Sequence, residues 1–320
     1  MSKKFCLFAV LLSCILLSPL LGAEPIAVLS INVRLSTAND GKDSWGNRKE
    51  LLLSVVKEHN YDYDFIGGQE VCINPNDDLN QVKYLADNLP GHGCLFLCRE
   101  KDPTKGEGAP VLYRKDRWEP DADDQGTYWL SDTPDVPGSV TWEGQSTCPR
   151  VVTGALFHEI DAEGKRTGKS LYVYATHLDH VGELARQKSA ALIFDRFEQR
   201  KNKDIPMILL GDFNCGERSP VVRFVKGETV ELGGESKTPT MRMLDTFREV
   251  LPDEKSVATF HGFRGPRFDS TGTIELGEKI DYIFVTPNLK TLDAAIIRTN
   301  DNGRYPTDHY PIRATVEFAN

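Results

Sequence analysis

Several common catalytic signatures are missing from this sequence. Seven cysteines are present, but none forms a Cys-x-x-Cys pair or a Cys/His zinc spacing. That argues against a soft-metal site. There is no Gly-x-Ser-x-Gly elbow and no Gly-x₄-Gly-Lys-Ser/Thr loop, so serine-hydrolase and P-loop chemistry lack their usual carriers. Positive charge is also scarce: 38 Lys and Arg stand against 47 Asp and Glu, a formal net charge of −9. Such a chain does not condense broadly onto nucleic acid or an anionic membrane, although a local basic patch is still allowed. No Ser/Gly linker, internal repeat or low-complexity run divides the chain.

What is present begins with an apolar run over residues 5–21 behind Lys3 and Lys4, followed by Gly22-Ala23. This reads as a secretory signal at residues 1–23 rather than a membrane anchor, because the run is short and holds Pro19. A secreted or periplasmic protein is expected. Its loss would remove two positive charges and no acid. Cys72, Cys94, Cys98, Cys148 and Cys215 would remain, an odd number in which one disulfide is plausible and its pairing is open. The rest, residues 24–320, has the length of one large α/β domain or two small ones, and the lack of a linker favours one.

Strand-like runs at 26–34, 64–70, 94–100, 109–115, 127–131, 151–160, 170–179, 205–214, 279–287, 294–299 and 310–318 alternate with helical patterns at 47–60, 79–91, 183–202, 219–227 and 243–251. In the first strand, Ala27, Leu29, Ile31 and Val33 are expected to face the core. Several strands come as hairpins, which disfavours a purely parallel sheet. The pattern suits two mixed β-sheets packed face to face with helices outside.

Polar residues recur at the strand ends. They are Asn32 in SINVR, Glu70 in GGQE, His177 in THLDH, Asp212 and Asn214 in GDFN, and Asp281 in KIDYIFV. Arg150 in CPR and Asp308–His309 in TDHYP lie just before strands. One acid at a strand end is more often a cap or turn former than a catalyst. The full ordered set is hard to explain by capping. Oxygen ligands suit Mg²⁺ or Mn²⁺, and also Ca²⁺, with Glu70 the main ligand and Asp308 completing the shell.

Hydrolysis of a phosphodiester needs a cation on a non-bridging oxygen, a group that takes a proton from water, and donors around the phosphate. Asp212 suits the second role, and Asn214, which cannot ionise, suits the third. A charged His309 held by Asp281 would bind the phosphate. His177 offers another imidazole for the phosphate or the leaving oxygen, and Arg150 a planar fork. His180, three residues from His177, is expected on the opposite side of the strand. Tyr113, Trp129 and Trp142 are candidates for the cleft wall, with a core role equally open for Tyr113 and Trp129.

At these motifs the chain resembles the endonuclease/exonuclease/phosphatase superfamily, from SINVR to DHYPIRATVEF. That superfamily includes pancreatic-type deoxyribonucleases, apurinic endonucleases, neutral sphingomyelinases and inositol-polyphosphate phosphatases. The resemblance implies a four-layered α/β sandwich and Mg²⁺ or Mn²⁺ bound through Glu70 with Asn32 and Asp308 nearby. It implies Asp212 as the water-orienting base, Asn214 on the phosphate, His309 paired with Asp281, and His177 as a phosphate or leaving-group contact. YRKDRWEP, TYWLSDTPDVPGS and CPR look most like secreted bacterial members. The inositol 5-phosphatase signature is missing, as is a basic helical loop for abasic DNA. Gly68 replaces a bulkier apolar residue, a change expected to be harmless. The expectation is therefore a metal-dependent phosphodiesterase acting on nucleic acid, a lipid headgroup or a small molecule. It is expected to be a monomer without a stable protein partner. The alternatives are a phosphomonoesterase on sugar or inositol phosphates and a non-catalytic binding module.

Overall fold

Strand residues Ile26–Asn32 are buried on both faces, and that double burial sets the layering. The computed structural model describes residues 24–57 and 62–319; the expected leader at 1–23 lies outside them. In chain order the strands are β1 (Ile26–Asn32), β2 (Phe65–Gln69), β3 (Val71–Ile73), β4 (His92–Leu95), β5 (Gly106–Gly108), β6 (Val111–Arg114), β7 (Trp118–Trp129) and β8 (Val151–Ile160). They continue with β9 (Arg166–His177), β10 (Met207–Asp212), β11 (Val230–Leu232), β12 (Glu235–Lys237), β13 (Leu244–Asp245), β14 (Asp281–Val285), β15 (Leu289–Ile296) and β16 (Ile312–Phe318). The helices are α1 (Trp45–Val56), α2 (Gln81–Asn88), α3 (Glu183–Glu198), α4 (Pro220–Val225) and α5 (Thr246–Val250).

Two six-stranded mixed sheets result, in the orders β15-β16-β1-β2-β6-β4 and β13-β14-β10-β9-β8-β7. Between them lies a core with Ile26, Val28, Phe65 and Val111 from one sheet and Phe157, Val173, Ile208, Leu210 and Ile283 from the other. The outer face of the first sheet packs Leu29, Ile31 and Leu112 under Leu52, Leu53 and Leu85 of α1 and α2. The outer face of the second packs Tyr172 and Leu209 under Ile193, Phe194 and Val222 of α3 and α4. This is the four-layered α/β sandwich. Leu29, Ile31 and Val33 therefore face the helices, not the space between the sheets. Alternation alone does not distinguish two apolar environments.

The two sheets approach closely at Gly67. A Cβ there would lie 1.6 Å from Leu210 Cδ1, so only glycine allows the contact. Gly68 is less tight, but a Cβ added there would lie 2.6 Å from Val71 Cγ2 and would force that side chain to shift. At the end of the sheets away from Asn32, Arg117 joins Asp64 at 3.1 Å and Glu159 at 3.0 Å, all buried.

Some local expectations shift. The expected strand over 94–100 leaves the sheet after Leu95, and Arg99 N–H donates to Glu107 O at 2.7 Å instead. Strand β7 starts nine residues earlier than TYWLS suggested, because an irregularity between Pro120 and Gln125 carries its acidic stretch past the ladder. Trp129 and Trp142 are core residues: their indole N–H groups donate to Arg99 O at 2.6 Å and Asp132 Oδ1 at 2.7 Å. Tyr113 packs on Phe157 with ring centres 5.2 Å apart. Cys72, Cys94, Cys98, Cys148 and Cys215 are all free thiols.

Candidate active site

Strand register builds half of the site. Asp212 at the end of β10 lies opposite His177 of the parallel β9 and opposite Asp281 of the antiparallel β14. Paired residues in a sheet point to the same face, so these three meet at the rim of the inter-sheet core. Gly211, just before, has φ +150°, and a Cβ would sit 2.0 Å from Thr176 O. The other sheet supplies Asn32 at the end of β1 and Glu70 just past β2. The hairpin-like loop before β16 brings Asp308 and His309.

Where strand geometry ends, unusual backbone takes over. Arg34, Glu70, Asn214 and Phe263 have φ of +54°, +58°, +50° and +60°, and all four line one pocket of about 570 Å³. Left-handed conformations at non-glycine residues are costly and concentrate at functional sites. Asn214 thus reaches its place through a turn, with its N–H donating to Asp212 Oδ1 at 2.8 Å, and not through the period of a strand.

Every residue expected at the site comes to this place. Glu70, Arg150, His177, Asp212, Asn214, Asp308 and His309 line the pocket, and Asn32 and Asp281 lie just behind. The Asn32 amide donates to Glu70 Oε1 at 3.1 Å and to Asp212 Oδ2 at 3.2 Å. Leu35 N–H donates to Glu70 Oε2 at 3.0 Å. His309 Nδ1 pairs with Asp281 Oδ2 at 2.9 Å, while its Nε2 is 3.7 Å from Asp212 Oδ2.

Two roles differ from expectation. The Asn214 amide donates to His177 Nε2 and to Leu178 O, each at 3.0 Å. Asn214 is thus engaged before any phosphate arrives, and His177 Nε2 serves as an acceptor. His180 lines the same pocket as His177, because β9 ends at His177 and strand parity does not extend beyond it. Sequence reasoning also passed over Arg34, Arg99, Phe260 and Phe263, which line the pocket. Arg34 had a signal, since it stands two residues after Asn32 in the same motif.

Electrostatics separate the groups. Burial opposes charge on His309, but Asp281 and Asp212 outweigh it and raise its pKa well above the ordinary value. Burial and the charge of Arg150 push His177 well below, leaving it neutral. Burial, and then repulsion from Asp281, raise Asp212 to about 7. Burial and Glu70 raise Asp308. Burial opposes charge on Glu70 too, yet the Asn32 amide, His309, Leu35 N–H and Arg34 hold its pKa below the ordinary value.

Four buried or nearly buried carboxylates, Glu70, Asp212, Asp281 and Asp308, gather here; His309 and Arg34 lie against them, and Arg34 is already forked onto Asp40 at 3.0 and 3.1 Å. This excess of negative oxygen donors is the chemistry a hard divalent ion fits. Ligand atoms of Asp212, Asp281 and His309 lie within 4.8 Å of one another, a spacing that also fits an ion. There, however, the protonated His309 already supplies the positive charge. Arg34 also bridges Glu70 and Asp308, at 4.0 and 3.8 Å, and the Asn32 amide reaches Glu70, so Glu70, Asn32 and Asp308 are a second set of residues that could hold a divalent metal.

A carboxylate poised to accept a proton, a fixed imidazolium beside it and an acid pair short of positive charge define a phosphoric ester hydrolase. Residues 29–309 match the model of the Endonuclease/Exonuclease/phosphatase family, and the chain belongs to that family, whose members are metal-dependent phosphoric ester hydrolases. Among solved structures, an endonuclease/exonuclease/phosphatase from Bacteroides vulgatus is 28% identical, with 92% of this chain and 99% of that one covered at a TM-score of 0.72. A mannosyl-6-phosphatase from Bacteroides thetaiotaomicron is 26% identical over 92% and 100% of the two chains, TM-score 0.70. D. rerio TDP2 complexed with a single-strand DNA product shares the fold at 19% identity, 92% and 99% coverage and TM-score 0.61. An uncharacterised protein of Acanthamoeba polyphaga mimivirus is 26% identical over 175 residues, 54% of this chain; the match spans 60% of that relative's length.

Proposed function

We propose that this protein hydrolyses a phosphate ester of a small molecule, using water deprotonated by Asp212. The observation that carries this reading is the row His177–Asp212–Asp281 set against His309, with Glu70 and Asn32 arriving from the other sheet. Asp212, 1% exposed, accepts the proton of the attacking water, whose oxygen bonds to phosphorus as the ester oxygen departs. His309, held charged and oriented by Asp281, donates from Nε2 toward a phosphoryl oxygen. Asn32 orients both Glu70 and Asp212. A divalent cation at Glu70, Asn32 and Asp308 would supply positive charge against the phosphoryl group.

Diester and monoester readings share this chemistry. The small-molecule reading is supported by the size of the pocket, about 570 Å³, and by the acidic chain. The mannosyl-6-phosphatase likeness makes a hexose 6-phosphate a natural test compound. Export through residues 1–23 and a single catalytic unit over 24–320 belong to the same proposal; the N-terminal residue of the protein recovered outside the cell tests the first. The function is tested by Mg²⁺-dependent release of p-nitrophenol from p-nitrophenyl phosphate and its bis ester. Full activity in Asp212→Asn or in excess chelator would overturn it.

A further inference from the structure

The pocket holds a second set of cations that the hydrolytic steps above do not use. Arg150 is only 3% exposed and lines the pocket. Its Nη2 donates to His180 Nδ1 at 2.7 Å. Its Nη1 is buried with no hydrogen-bond partner. Nε faces Asp179 Oδ2 at 3.7 Å, but the Asp179 oxygens already accept from Ser146, Val181 and Gly182. Arg99, also buried, pairs with Glu107 at 2.8 Å and approaches Glu100 at 3.5 Å. Both arginines line the same pocket as His177 and Asn214. Because His180 accepts at Nδ1, its other nitrogen carries the proton and is free to donate.

A buried guanidinium N–H without an acceptor is costly, and the cost disappears when an anion arrives. A diester phosphate has one charge and two non-ester oxygens. A terminal phosphoryl group has up to two charges and three such oxygens, and so needs more donors. We propose that Arg99, Arg150 and His180 form an anion-binding wall that takes the terminal oxygens of a phosphomonoester. The substrate is then the monoester of a small polar molecule rather than an internal link of a chain. Its leaving group would lie toward Phe260, which is 49% exposed and whose ring centre is 5.0 Å from that of His309. This inference rests on the hydrolytic reading above and narrows it.

The test is the ratio of kcat/KM for p-nitrophenyl phosphate to that for bis-p-nitrophenyl phosphate, which does not depend on the folded fraction. Loss of one charge-assisted contact should lower that ratio about tenfold in Arg150→Lys and about threefold in His180→Gln. His180→Gln alters an exposed side chain and serves if Arg150→Lys fails to fold. A wild-type preference for the diester, or a ratio changed by less than about twofold in both variants, would overturn the wall. If the wild type cleaves neither ester, the hydrolytic reading fails. Calorimetric binding of inorganic phosphate then still decides the wall: affinity about tenfold weaker in Arg150→Lys supports it, and equal affinity refutes it.

Discussion

Replacing Asp212 with Asn should abolish hydrolysis and yet stabilise the metal-free protein at pH 8. The carboxyl is 1% exposed and is pushed from 3.8 to about 7, first by burial and then by Asp281. Ionising it in the folded state therefore costs about 4 kcal/mol at pH 8. Because the folded state holds this proton between pH 3.8 and about 7 and the unfolded state does not, wild-type stability falls as pH rises through that window. Asn avoids the charge but has one acceptor where Asp212 takes bonds from Asn32 and Asn214 N–H. One mismatched donor costs about 1–3 kcal/mol, which leaves a net gain of about 1–3 kcal/mol. For a chain of this size that is a Tm increase of about 2–5 °C. The assay is thermal unfolding in chelator at pH 8 and pH 5. The gain should be confined to pH 8. A Tm below wild type at pH 8, or an equal gain at both pH values, would refute the reasoning.

Other consequences can be checked singly. Asp281→Asn weakens the hold on His309 Nδ1, so kcat should fall about 10²-fold or more while KM moves little; an equal rise in KM would contradict a positioning role. Gly67→Ala drives a methyl into Leu210 and should cost about 1–3 kcal/mol in urea unfolding, a cost that should largely vanish in a Leu210→Ala background. Arg117→Leu strands the buried Asp64 and Glu159 and should destabilise by about 3–5 kcal/mol, with kcat of the folded fraction unchanged because the network lies at the opposite end of the sheets.

The layers were legible because β1, β2, β10 and β14 are apolar runs bounded by turns, and their ends carry the polar residues. The order of the motifs likewise identified the nine residues that meet. Other features depended on tertiary context. That Leu29 faces helices follows from what covers the sheet, not from alternation. The His180 position required knowing that β9 stops at His177. Arg99 reaches the pocket only because the chain leaves the sheet after Leu95, in a segment whose pattern still reads as strand. The engagement of Asn214 with His177 depends on a left-handed turn that side-chain spacing does not encode.

Binding of Mn²⁺ to the folded protein, followed by electron paramagnetic resonance, tests the assignment of charge at the centre most directly. If Glu70, Asn32 and Asp308 hold the ion and leave Asp212 free as base, Glu70→Gln should abolish tight binding and Asp281→Asn should preserve it. Binding lost in Asp281→Asn and kept in Glu70→Gln would contradict the account, because the ion would then sit among Asp212, Asp281 and His309 and replace the His309 proton.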